Sequence, residues 1–132
     1  MFDATLLALQ KNIGMRALSH SIHVSNIANA NVPGYKARQA DFQDRLREAI
    51  DVEDNKLTPE RTRQELVKDA INKVTAQIYE DPSASVNGDG NSVNIDREMT
   101  AIAKNTIGFE TAVKLLNKKL ALQRYVVSEG LR

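Results

Sequence analysis

The chain contains no cysteine and no tryptophan, and only 5% of its 132 residues are aromatic. Without cysteine there is no disulfide scaffold, no thiolate zinc site and no cysteine nucleophile, and oxidising and reducing compartments stay equally open. With so few aromatic rings, any core must be built mainly from aliphatic side chains. Long apolar runs are missing too. The best, Leu6-Leu7-Ala8-Leu9, falls far short of the ~20 residues that span a bilayer. An excess of one charge is also lacking: Lys and Arg number 18 against 17 Asp and Glu. A net charge of +1 excludes the basic face of an electrostatic nucleic-acid binder and the polybasic patch of a membrane-surface protein. The first residues, Met1-Phe2-Asp3, carry no basic n-region, and Gln10-Lys11-Asn12 interrupts any h-region, so no cleavable secretory signal is expected. Length, a hydrophobic content of 42% and a mean hydropathy of -0.40 describe one soluble, mainly helical domain made in the cytoplasm.

What is present is helical patterning. Over residues 3–30, Leu6, Leu9, Ile13, Ala17, Val24 and Ile27 recur at spacings of three, four or seven, along one helix stripe broken by His20. Asp3 is placed to cap this helix, Gly14 weakens it, and Pro33-Gly34 stops it. A short amphipathic helix is expected over residues 40–50, with Phe42, Leu46 and Ile50 four apart, followed by a polar loop at 51–56. Thr58-Pro59-Glu60 reads as a helix start, Val67, Ile71, Val74 and Ile78 continue at helical spacing, and the helix is expected to about Asn72. From Val74 the β-branched alternation through Tyr79 also permits a strand. Asn87-Gly88-Asp89-Gly90-Asn91 is a strong turn, and its flanks, 83–86 and 92–95, suit a small hairpin. The spaced ligands and terminal Glu of a calcium loop are absent there.

The last segment carries the clearest pattern. Asp96 is a candidate cap. From there Met99, Ile102, Thr106, Phe109, Val113, Leu116, Leu120, Gln123 and Val127 alternate by three and four through about four heptads, a coiled-coil seam with Gly130 as its stop. A helix over 96–127 is roughly 48 Å long at 1.5 Å per residue. The rest of so small a chain cannot cover it, so part of the stripe must meet the first helix or another molecule. The expected fold is therefore mainly α: long N- and C-terminal helices pair as a coiled-coil-like bundle around a small central α/β-hairpin region. The parts are residues 1–35, 36–95 and 96–132 of one structural unit.

Catalytic chemistry finds little support. His20 and His23 are one turn apart and can face a common metal, but no third histidine exists and no acid lies within a turn of the pair. The serines of the first helix have no buried acid to orient a triad, and no phosphate-cradling glycine loop occurs. Neither a catalytic residue nor a cofactor is assigned. A helical adaptor or export chaperone, and a small hydrolase using the histidine pair, are the rival readings.

One cluster asks for more. Asn26-Ile27-Ala28-Asn29-Ala30-Asn31-Val32-Pro33-Gly34-Tyr35-Lys36 puts three asparagines in six residues at a helix end, then a Pro-Gly turn. Asn is poor inside a helix but good where side chains must satisfy loose backbone groups, and Pro-Gly sets a tight turn with positive φ at glycine. This cluster, after an amphipathic helix, resembles the signature of the flagellar axial proteins (rod, hook and hook-associated subunits), Asn-hydrophobic-Ala-Asn-x-x-Thr-Pro-Gly-aromatic-Lys/Arg. Asn26, Ile27, Ala28, Asn29, Pro33, Gly34, Tyr35 and Lys36 match, and Val32 replaces the usual Thr. Within that family the chain is similar to the short proximal-rod subunits, through Asp41-Phe42 and through 89–94 leading into Asp96-Arg97-Glu98. The resemblance covers roughly residues 1–50 and 86–128.

The resemblance implies a structural subunit of the proximal rod. Such a subunit is exported through the flagellar type III channel and stacks helically in the periplasm, its terminal helices forming the inner tube wall. Its implied partners are copies of itself, other rod subunits, MS-ring and rod-adaptor proteins and the export apparatus, with no nucleic acid and no membrane span. The expected assembly seam comprises Leu6, Leu9, Ile13, Val24, Met99, Ile102, Phe109, Val113, Leu116, Leu120 and Val127. Asn26, Asn29 and Asn31 are expected to bond backbone groups joining the first helix to the outer part of the subunit or to a neighbour.

Overall fold

Asp3 starts the first helix as its sequence position predicts: its Oδ1 accepts the Leu6 N–H at 2.8 Å. In a computed structural model that describes residues 3–51 and 62–130, this helix, α1, runs Ala4–Ala28. It is followed by β1 (Arg38–Asp41), α2 (Gln43–Ile50), α3 (Arg63–Lys73), β2 (Gln77–Glu80) and α4 (Ile95–Gly130). The architecture is mainly α, with the two long helices packed side by side and one two-stranded antiparallel sheet. Among the described residues no helix is long and apolar enough to cross a membrane.

The two long helices run antiparallel. His23 meets Glu98, Arg16 meets Asn105, and Asp3 meets Lys119, so advance along one helix is matched by retreat along the other. The core lies elsewhere. Leu46, Ala49, Val67, Ile71 and Val74 form it, and Ala4, Leu7, Ala8 and Met15 of α1 pack against it. The core is thus wedged between α1, α2 and α3 and not between the long helices. The stripe expected on α1 is accordingly divided: Leu6 is buried and Leu9, Ile13 and Ile27 are half-buried, while Ala17 and Val24 are exposed.

Several elements shift from their sequence-based positions. Residue 40 belongs to β1, and α2 begins at Gln43 with Phe42 buried at its N-cap. Ala49 joins Leu46 in the core, and Ile50, expected on the buried face, is 46% exposed. The helix start read at Thr58-Pro59-Glu60 and most of the loop expected at 51–56 lie outside the described residues. Helix α3 is capped by Thr62, which accepts the Glu65 N–H while the Glu65 side chain accepts the Thr62 N–H. This reciprocal box satisfies two donors that a helix start otherwise leaves open. The β-branched stretch after Val74 does form a strand, β2. It pairs with β1 in the register Arg38 with Glu80 and Asp41 with Gln77.

The hairpin expected from 83–86 and 92–95 does not form. The turn is there, with Gly90 N–H donating to Asn87 C=O at 2.9 Å and Asn87 N–H to Asn91 C=O at 2.8 Å. Its second flank, however, is drawn against residues 29–37, where Asn91, Ser92 and Val93 are buried and Asn91 and Ser92 bond Asn29, Val32, Tyr35 and Ala37. Those bonds leave nothing for a ladder with 83–86. The cap of α4 also falls earlier than expected: Asn94 Oδ1, not Asp96, accepts from Arg97 N–H at 3.1 Å. At the far end the helix runs through Gly130 and does not stop before it.

The core assignment predicts a contrast between two isoleucines. Ile71 is fully buried, so Ile71→Ala should cost about 2–5 kcal/mol. Ile50→Ala should stay within about 0.5 kcal/mol. Urea unfolding of the two variants measures both.

Candidate functional site

At the asparagine-rich turn the end of α1, β1, the 89–92 turn and the start of α4 come together. The C-terminal end of α1 closes with Asn29, whose backbone N–H bonds Ser25 C=O and whose Nδ2 donates to the same carbonyl at 2.7 Å. A β-turn follows over Val32-Pro33-Gly34-Tyr35, with Tyr35 N–H donating to Val32 C=O at 3.2 Å. Pro33 supplies the φ of the first central position, and Gly34, at φ +75°, the left-handed second one. A side chain at Gly34 meets open space, so the constraint there is the backbone angle itself.

Asn26 is fully buried one turn before the helix end. Its Oδ1 accepts from Arg38 N–H at 3.0 Å and from Tyr35 O–H at 3.2 Å. Its Nδ2 donates to Arg38 C=O at 2.8 Å and to Glu98 Oε2 at 3.1 Å. One amide therefore holds both backbone groups of Arg38, as a neighbouring strand would, and completes the edge of β1 that β2 does not cover. It also ties α1 to α4 and to the turn. Asn is suited to this because its short fork offers donor and acceptor together. Glu98 is buried, and its Oε2 lies 2.6 Å from His23 Nδ1.

A second buried amide clamps the turn from the other side. Asn91 Nδ2 donates to Asn29 C=O at 2.9 Å and to Val32 C=O at 2.7 Å, the second acceptance for each, since they also take the Val32 and Tyr35 N–H groups. Gly34 N–H donates to Asp89 C=O, and Lys36 Nζ to Gly90 C=O. The two turns touch backbone to backbone: a Cβ on Gly90, itself at φ +82°, would stand 3.3 Å from the Gly34 Cα. Ser92 Oγ accepts from Ala37 N–H, and Ser92 N–H donates to Tyr35 C=O.

Of the three asparagines singled out in sequence, Asn26 bonds the outer part of the subunit, Asn29 bonds its own helix, and Asn31 is exposed. Ile27 is half-buried, and Ala28 and Pro33 are exposed. Sequence reasoning gave Glu98 and Asn91 no role beyond their place in the resemblance over 89–98. Both are remote from the motif in the chain, and the Asn-Gly-Asp-Gly-Asn turn reads on its own as an ordinary reversal. His23 is committed to Glu98, whereas His20 is exposed in a separate groove beside Phe109. Among the described residues no group of three or more His, Cys, Asp or Glu is placed to hold a metal ion.

The seam residues of α4 also separate. Ile102, Phe109, Val113, Leu116 and Leu120 are half-buried, while Met99 and Val127 are 56% and 63% exposed. The most buried positions are Glu98, Asn105 and Ala112, seven apart and one residue before the column Met99, Thr106, Val113 and Leu120.

Two long antiparallel helices are thus closed at one end by an Asn-Pro-Gly turn. No protein-family model matches the chain. It is 28% identical over 130 residues to the flagellar basal body rod protein FlgB of Bacillus subtilis, covering 98% of both chains. It is 28% identical over 132 residues to FlgB of Escherichia coli, covering 97% of this chain and 96% of that one. With FlgB of Salmonella typhimurium the identity is 29% over 141 residues, at the same coverage. The likeness therefore runs through the middle of the chain, beyond the two ends where the motifs lie. Over nearly its full length the chain is therefore similar to FlgB flagellar basal body rod proteins.

Two predictions follow from these bonds. Asn26→Leu leaves the Arg38 N–H and C=O unpaired in a packed junction, at about 1–3 kcal/mol for each buried group. Asn29→Leu loses one bond to its own helix and should cost less, and chemical denaturation ranks the two. At the other end, Asp3 is held below the ordinary carboxylate range, first by its bond to Lys119 and also by the N–H groups it caps. A depressed folded-state value means stability that is present above the unfolded value and lost as pH falls through the folded one. In Lys119→Ala the NMR-detected titration of Asp3 should move up toward the ordinary value.

Proposed function

We propose that this chain is a structural subunit of the proximal rod of the flagellar basal body. In this reading it passes through the flagellar type III apparatus and polymerises helically in the periplasmic space as part of the motor drive shaft. Its neighbours are copies of itself and other rod subunits, with MS-ring and rod-adaptor proteins at the base. The observation that carries the reading is the similarity to rod proteins over nearly the full length of both chains.

The physical features support it. The core is small and off to one side, and α4 is left with large apolar side chains in water along its length: Met99, Ile107, Leu115, Leu122, Val126 and Val127 are each more than half exposed. Each such side chain contributes ~1.5–3 kcal/mol when fully buried. In a helical array the same patches repeat from copy to copy, so association supplies burial that the single chain lacks. The motif residues Asn26, Asn29, Asn31, Pro33, Gly34, Tyr35 and Lys36 take the role of a joint fixing the angle between the terminal helices and the outer part of each subunit.

Val127→Asp tests the reading with little disturbance of the fold, because this side chain is exposed. A strain carrying it as the sole copy should export the subunit at the normal level, lack it in purified basal bodies and lose motility. The purified variant should keep its thermal midpoint. Normal incorporation into basal bodies and normal swimming would contradict the proposal.

A further inference from the structure

Helix α4 has two possible inward faces, and the one turned to α1 is the more polar. Both share the column Ile102, Phe109, Leu116 and Gln123. The apolar alternative adds Met99, Thr106, Val113, Leu120 and Val127. The face actually used adds Glu98, Asn105, Ala112 and Lys119. Each column repeats every seven residues, and the two differ by a single position, a rotation of about 100°. Burial alone favours the apolar column, yet Met99 and Thr106 stand exposed while Glu98 and Asn105 are buried.

The difference lies in what α1 offers. Glu98 meets His23 Nδ1 and Asn26 Nδ2. Asn105 Nδ2 donates to Arg16 C=O at 2.7 Å, and Arg16 Nη1 reaches Asn105 Oδ1 at 3.4 Å. Lys119 Nζ lies 2.8 Å from Asp3 Oδ2. Arg16 is itself steadied by Asn12, and its guanidinium fills the space beside Gly108 where a Cβ would stand. Turning Met99, Thr106 and Val113 inward would strand the Arg16 carbonyl and the His23 ring without these partners. A slip by one heptad is equally penalised. In one direction Arg16 faces Ala112 and Leu9 faces Lys119. In the other, Arg16 gains Glu98 but the remaining rungs are lost and Asn105 faces Leu9. Polar side chains at seam positions are known to select pairing at some expense of stability.

We propose that the polar side chains of α1, chiefly Arg16 and His23, select which face of α4 packs within the subunit and so keep Met99 and Thr106, and with them the outer side of the apolar column, turned away from α1. This goes beyond the rod assignment and is tested on the isolated chain. Whatever helix meets α4 from outside then meets a face chosen by α1.

The absence of native cysteine makes thiol labelling a clean readout of rotation. Single cysteines are placed at Ala112, buried against α1, and at Met99, exposed. In the otherwise unmodified chain Ala112→Cys should react at least about tenfold more slowly than Met99→Cys. In an Arg16→Leu/His23→Leu background the ratio should fall to within about twofold or invert, with helix content retained. Asn105→Leu, which makes the present inward face more apolar, should leave Ala112→Cys protected. An unchanged ratio in the Arg16→Leu/His23→Leu background would overturn the proposal. So would loss of helix in that background, because the rungs would then be a source of stability and not a choice between faces.

Discussion

The amide of Asn26 is the interaction on which the rest of the arrangement depends. It is fully buried, and all its partners come from elements that otherwise do not share a core: the β1 backbone, the turn through Tyr35 and α4 through Glu98. A two-stranded sheet standing alone is marginal in water. Here β1 is held on one edge by β2 and on the other by a single side chain. The backbone of Arg38 is thereby satisfied without a third strand, and the sheet is fixed to the end of the long helix pair. Asn91 does the complementary work on the carbonyls at the end of α1.

This gives the molecule two ends of different character. At the turn, buried amides and a buried carboxylate knit four segments together. At the other end α1 is held to α2 and α3 by aliphatic packing and to α4 by the Asp3–Lys119 pair. Beyond that pair α4 continues for another eleven residues, carrying Leu122, Val126 and Val127 around a shallow apolar hollow. In the rod reading proposed above, the first end is a stiff joint that sets geometry and the second a helix extension with surface left to bury.

Much of this was legible in sequence. Helix α1 and its Asp3 cap, the Pro-Gly turn with a left-handed glycine, and the long C-terminal helix all follow from local chemistry and periodicity, and the family signature lies in contiguous residues. What was not legible depends on partners distant in the chain. The heptad reading of α4 chose the apolar column because hydrophobicity is the only term visible without knowing that Arg16 and His23 stand opposite. The hairpin with its turn at 87–91 was expected because that turn is strong, but Asn91 bonds the Asn29 and Val32 carbonyls and Ser92 bonds Tyr35 and Ala37. Ile50 was placed inside by its spacing from Leu46, whereas α3 covers Ala49 instead.

The account rests most heavily on Asn26 standing in for a strand, and amide hydrogen exchange of Arg38 tests that directly. Arg38 is a solvent-exposed residue of a four-residue strand, and its N–H bonds the Asn26 side chain. If Asn26 is the anchor, this N–H should exchange only through unfolding of the whole domain, as slowly as the amide of the core residue Ile71. Exchange at the rate of an unprotected edge amide, with Ile71 still protected, would contradict it.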